Sequence, residues 1–154
     1  MEPHPIPLVY RLTFNFLEPF LAFAGALQIY FDAPTYLSIV HPDTTYYPSL
    51  QPLMTSILGG WLIIVFYDAV TLRVLNRDVK LWRYILSAHL LSDIAYAFAV
   101  CEGIGAARFF NPMAWNSMDW FTIGTTIPPM VLKITFILGM GIDFADIDSG
   151  KKRR

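Results

Sequence analysis

The sequence predicts an all-α polytopic membrane protein, a four-transmembrane-helix bundle with both termini cytosolic. Three observations predict it. The 154 residues are 55% hydrophobic and only 15% charged, with a mean hydropathy of +0.47, whereas a soluble domain carries about a quarter charged residues. The apolar residues fall into four runs, each near the roughly 20 residues that cross a hydrocarbon layer of about 30 Å. Lysine and arginine crowd onto one side of those runs: Arg11, Arg73, Arg77, Lys80, Arg83 and Lys151 to Arg154, against Arg108 alone on the other. Cytoplasmic loops carry that excess of basic residues.

Residues 1–10 form a proline-spaced arm with an acidic Glu2. Span one is expected over 12–31. It contains Glu18, and no small-residue cleavage site follows it, so it reads as a retained helix and not a signal peptide. Residues 32–52 are expected to be a loop, with Pro34, Pro42, Pro48, Pro52 and a Tyr46–Tyr47 pair. Span two is expected over 53–72, a short polar hairpin over 73–81 and span three over 82–103. A second, aromatic loop covers 104–118 and span four 119–142. No linker divides the chain, so 1–154 is expected to be one four-helix membrane domain. Tyr46, Tyr47, Phe109, Phe110, Trp115 and Trp120 then form an interfacial belt on the lumenal side, and Trp82 is expected to anchor the cytosolic edge. Lys151 and Lys152, fourth- and third-last in the chain, look like the dilysine retrieval signal of endoplasmic-reticulum proteins. The plainer reading is a basic flank that follows the positive-inside rule.

Several function classes drop out. A net charge of −1 provides no field to recruit nucleic acid. One cysteine, Cys101, excludes an internal disulfide framework and any multi-cysteine metal site. The three histidines, His4, His41 and His89, fall in three different regions, and His89 with Asp93 alone lacks the remaining ligands, so no metal and no cofactor is expected. No Gly-rich phosphate loop or nucleophile elbow is present.

What remains is a set of charges inside the spans. An Asp near the centre of a span costs roughly 2.5–3.5 kcal/mol on insertion scales, so such groups pair or work. With 1.5 Å rise per residue, Glu18, His89, Lys133 and Asp93 lie roughly 9, 10, 14 and 16 Å inside the cytosolic edge. Asp68 sits four or five residues from the end of span two, near enough to snorkel to the interface. All five fall in one half of the bilayer and should face one another or water. Helical spacing supports that: Asn15, Glu18, Ala22 and Gly25 share a stripe on span one; Trp61, Ile64 and Asp68 on span two; Ile85, His89, Asp93 and Tyr96 on span three; Asp119, Thr122, Thr126, Pro129 and Lys133 on span four. Gly59-Gly60 is expected to let a neighbour approach closely. Pro128-Pro129 is expected to break span four and free the carbonyls of Gly124 and Thr125 to line a polar pocket.

Each charge also has a purely structural account. Lys133 neutralises a carboxylate, and His89 pairs with Asp93. As a group they suggest more. Carboxylates, a histidine and a lysine in a low-dielectric pocket have strongly perturbed proton affinities, the arrangement for acid/base chemistry on an apolar substrate. The candidate catalytic residues are Glu18 and Asp93 as proton donors and His89 as shuttle. Asn15, Trp61, Asp68, Tyr96 and Lys133 are candidate ligand-binding residues, with aromatic walls able to stabilise a transient carbocation.

Glu18-Pro19 with Ala24-Gly25-Ala26, Trp115-Asn116 with Asp119-Trp120, and Lys133-Ile134-Thr135-Phe136 with Gly139-Met140-Gly141 resemble a group of small fungal four-span membrane proteins of unknown function. The resemblance implies a fungal source and a setting near secondary-metabolite genes, and brings no catalytic residue with it. The length, four spans and cytosol-facing acids are also similar to the EXPERA fold of sterol isomerases. Their His and Glu spacing is not reproduced, so none of their residues is carried over. Fungal membrane-bound terpene cyclases use buried acids too, in chains longer than this one. The leading expectation is an endoplasmic-reticulum protein that binds a lipophilic small molecule, an isoprenoid or polyketide, and isomerises or cyclises it by acid/base chemistry. The rivals are a non-enzymatic scaffold or accessory subunit beside a membrane-enzyme partner, whose ionic layer only fixes packing, and a proton-coupled carrier acting as a homo-oligomer. Under all three, membrane lipids surround the chain.

Overall fold

The computed structural model describes residues 4–142. Six α-helical elements follow one another: α1, Leu8–Phe31; α2, Ala33–Val40; α3, Pro48–Val74; α4, Val79–Ile104; α5, Ala106–Phe109; and α6, Ser117–Ile137. There are no strands among the described residues. Helices α1, α3, α4 and α6 are each long and apolar enough to cross a membrane, which makes the fold that of a multi-pass membrane protein. The expected boundaries shift by a few residues, and the dilysine pair Lys151–Lys152 lies outside the described residues.

The surface is that of a protein whose solvent is oil. Phe20, Ile63, Leu91 and Val131 stand more than half exposed on the four long helices. In water such a girdle would be a liability; in lipid it has no penalty.

Local chemistry sets the helix ends. The Asp32 side chain accepts from the Thr35 amide at 3.2 Å and starts α2. Asp78 accepts from the Leu81 amide at 2.9 Å and starts α4. Asn116 and Asp119 form a reciprocal capping box at the start of α6. Asp119 is buried and also takes Arg108, Nη2 to Oδ2, at 2.5 Å. Gly105, at φ +83°, ends α4 in a conformation that side chains resist.

Helix α1 packs on α3 and α4 on α6, while α2 lies over α4 and α6. Two apolar clusters occupy the ends of the bundle. One gathers Tyr10, Phe14, Leu72, Trp82, Leu86 and Phe136; the other gathers Ile29, Ala33, Tyr36 and Met54, with Trp61 and Tyr96 against them. Glu18 on α1, Asp68 on α3 and His89 and Asp93 on α4 fall between the two.

Four expectations need correction. Residues 32–52 are not all loop, because α2 forms there: Asp32 caps it and Pro34 sits in its first turn, where a missing N–H costs nothing. Trp82 is no interfacial anchor. It is fully buried, and its Nε1 donates to the Leu72 carbonyl at 3.2 Å. Gly59 and Gly60 allow no close contact, since a Cβ at either meets nothing within 4 Å. The close approaches are at Gly25, where a Cβ would stand 2.9 Å from the Trp61 ring, and at Gly103, where it would stand 2.0 Å from the Val40 carbonyl oxygen. Finally, α6 runs unbroken through Pro128 and Pro129. Just upstream, the Thr125 hydroxyl donates to the Phe121 carbonyl at 2.8 Å and that of Thr126 to the Thr122 carbonyl at 2.7 Å. Those bonds do not serve the Gly124 and Thr125 carbonyls that the two prolines strand, so it is packing against the neighbouring helices that carries α6 through.

Candidate functional site

Two of the four long helices change pitch where they deliver their acids. Helix α1 is π-helical over Thr13–Leu17, immediately before Glu18. Helix α3 is π-helical over Tyr67–Thr71, which contains Asp68. The two π turns pack against each other. A π turn inserts one residue, which rotates everything beyond it by about 100° relative to an unbroken helix. The cause in α1 is legible: Pro19 has no N–H, so the Asn15 carbonyl four residues back loses its helical donor. Arg73 supplies the replacement, donating from Nε at 3.2 Å and from Nη2. Its guanidinium also lies 4.3 Å from the centre of the Phe16 ring. Sequence reasoning placed Arg73 on the cytosolic flank and gave it no further part; the rule that a helical proline strands a carbonyl was the signal that could have found it.

The charges converge. The Lys133 ammonium, fully buried, donates to Glu18 and, at 2.5 Å, to Asp93 Oδ2. Asp68 is likewise fully buried, so it does not snorkel to the interface. Its Oδ1 lies 3.2 Å from His89 Nδ1. The expected His89–Asp93 pair is therefore replaced by two others, His89 with Asp68 and Asp93 with Lys133. The two residues share one face of α4, but the neighbouring helices offer each a different partner. The His89–Asp68 approach does not have hydrogen-bond angles. Both ring nitrogens of His89, both oxygens of Asp68 and Glu18 Oε2 are buried without a hydrogen-bond partner. One ligand-type atom from each of Glu18, Asp68 and His89 lies within 4.8 Å of the others. Glu18 and Asp68 thus reach His89 from other helices, which its spacing to Asp93 does not reveal.

Beside this cluster is a cavity of about 560 Å³, lined mostly by apolar atoms. Glu18 and Asp93 form its polar end, with Trp61, Tyr96 and Tyr36 among its walls. The Trp61 ring meets Tyr96 edge to face at 5.6 Å and Tyr36 at 6.4 Å. Burial holds the Tyr36 phenol above its ordinary range, so it is a neutral hydroxyl at the cavity wall. Gly60, Thr125 and Pro129 also line it. Of the candidate residues, Glu18, Asp93, Trp61 and Tyr96 border the cavity. His89, Asp68 and Lys133 stand behind it, and Asn15 contributes its backbone carbonyl to Arg73. Tyr36 was missed, because it lies in a segment read as loop.

The profile of a family described as "Domain of unknown function (DUF7704)" matches residues 4–143. The chain belongs to the DUF7704 family. No curated protein and no solved structure matches it significantly. The DUF7704 match covers both π turns, the whole ionic cluster and the cavity, so the site is built entirely within the family's domain.

Proposed function

We propose that the protein holds a lipophilic small molecule in the cavity and isomerises or cyclises it by proton transfer through Asp93. The observation that carries this reading is an apolar cavity of about 560 Å³ with two carboxylates at one end. Small-molecule sites are cavities of about 300–1,000 Å³, mostly apolar, with a few convergent polar groups. Asp93 presents a carboxyl to the ligand. Lys133 behind it touches Glu18, so a proton can be returned along Asp93, Lys133 and Glu18 without crossing lipid. Protonating one carbon and deprotonating another leaves the substrate's atoms unchanged in number, which suits an isoprenoid or polyketide with displaced double bonds. Trp61 and Tyr96 would face the transient cation. The setting that fits is the endoplasmic reticulum of a fungus, in a secondary-metabolite pathway, with both termini cytosolic and the polar end toward the cytosolic leaflet. The basic flanks and the resemblance to fungal four-span proteins support that placement.

Gly60 gives a clean test, because it lines the cavity and a Cβ there meets nothing within 4 Å. Mass spectrometry of extracts from purified wild-type protein should find a discrete lipophilic compound that Gly60→Phe loses while remaining folded. In a producing strain, Asp93→Asn at normal abundance should accumulate the unconverted compound. Bulk lipid alone, equal in both proteins, removes the binding reading; an unchanged product profile in Asp93→Asn removes the catalytic one.

A further inference from the structure

The ionic cluster has a charge problem that the relay along Asp93, Lys133 and Glu18 leaves unsolved. Glu18, Asp68 and Asp93 bring three carboxylates together, and among the described residues their ion-pair partners are Lys133 and His89. With a neutral imidazole, two negative charges remain uncompensated in the low-dielectric interior. Isolated buried charge is far too costly to leave so. Either two protons or one divalent cation restores neutrality.

The unpartnered atoms favour the cation. A protonated carboxyl carries an O–H that must donate when buried. Yet neither oxygen of Asp68, which is fully buried, has a hydrogen-bond partner, and neither ring nitrogen of His89 has one. Glu18 divides its two oxygens: Oε1 takes the Lys133 ammonium, while Oε2 is buried and unpartnered. Lone pairs from three helices therefore converge without completing hydrogen bonds. Ligands about 2.0–2.1 Å from a tetrahedral zinc stand about 3.3–3.4 Å from one another. His89 Nδ1 and Asp68 Oδ1 are 3.2 Å apart, and the whole set lies within 4.8 Å.

We propose that Glu18, Asp68 and His89 bind one divalent transition cation of the Zn²⁺ class within the membrane domain. One imidazole and two carboxylates suit such an ion, whereas an imidazole ligand disfavours Mg²⁺ and Ca²⁺. Lys133 on the far oxygen of Glu18 is the outer partner that orients a metal-binding carboxylate. Two packed π turns bring Glu18 and Asp68 to the same point, and π turns recur at functional sites. Three protein ligands leave a fourth position for water or a ligand, the pattern of a working zinc site.

Tag-free full-length protein in mild detergent, stripped with chelator and reloaded with Zn²⁺, tests this by elemental analysis. Wild-type protein should hold about one Zn²⁺ per chain, and Asp68→Asn and His89→Gln should lose at least about tenfold in affinity. Excess Mg²⁺ should not displace the ion. Zn²⁺ should also raise the melting temperature of the unaltered chain, which decides the matter if the variants fail to fold. Gly60→Phe should load normally, so metal content is read independently of the cavity's occupant. Folded wild-type protein that takes up no stoichiometric Zn²⁺ and shows no thermal shift overturns the proposal and assigns the surplus charge to protons. Displacement by Mg²⁺ overturns the transition-metal assignment.

Discussion

Replacing Lys133 with Met is the sharpest probe of the ionic layer. The substitution keeps an unbranched apolar side chain of similar length but deletes the ammonium that bonds Glu18 and, at 2.5 Å, Asp93. Removing one partner of a buried pair strands the other, which costs about 3–5 kcal/mol. Here two carboxylates lose their cation at once, and Lys133 has no exposed surface through which water could replace it. For a chain of this length each kcal/mol shifts the melting temperature by about 2–4 °C, so Lys133→Met should melt about 6–20 °C below the parent. The assay is thermal unfolding in a fixed mild detergent, followed by tryptophan fluorescence. Adding Asp93→Asn should recover part of the loss, with a coupling of about 0.5–3 kcal/mol, because one of the two stranded charges is gone. A Lys133→Met protein that melts within about 2 °C of the parent, a difference below about 1 kcal/mol, refutes the claim that these charges hold one another in place.

Three further outcomes are expected. Arg73→Ala should destabilise by about 1–3 kcal/mol, since it leaves the Asn15 carbonyl without the donor that Pro19 cannot provide; Arg73→Lys should recover only part of this, and equal stability of all three by thermal melting would show that the carbonyl finds water instead. Gly103→Ala should lower folded yield sharply, because its methyl would stand 2.0 Å from the Val40 carbonyl oxygen, whereas Gly59→Ala, in open space, should match or exceed wild type on size-exclusion chromatography. Asn116→Ala removes the capping box of α6 and should cost about 1 kcal/mol by thermal melting, with Asn116→Ser close to neutral.

Much of this was legible in the chain. Four apolar runs near bilayer length demand helices, because oil satisfies no backbone polar group. The cost of charge in hydrocarbon demands that Glu18, Asp68, His89, Asp93 and Lys133 meet, and depth counting along each run places them in one layer. Those arguments depend on composition and rise per residue, which need no tertiary knowledge. The pairing was not legible. His89 and Asp93 share a helical face, so spacing alone joins them, yet Asp68 and Lys133 on neighbouring helices divide them. Nor was the cavity, whose wall includes Tyr36 on a helix that proline-rich composition disguised as loop. The reason is rotational: the π turns at Thr13–Leu17 and Tyr67–Thr71 turn the following side chains by about a quarter of a revolution. Hydropathy is blind to rotation about a helix axis. What each charge touches is decided by that angle and by which helix lies opposite, and only the packed bundle sets both.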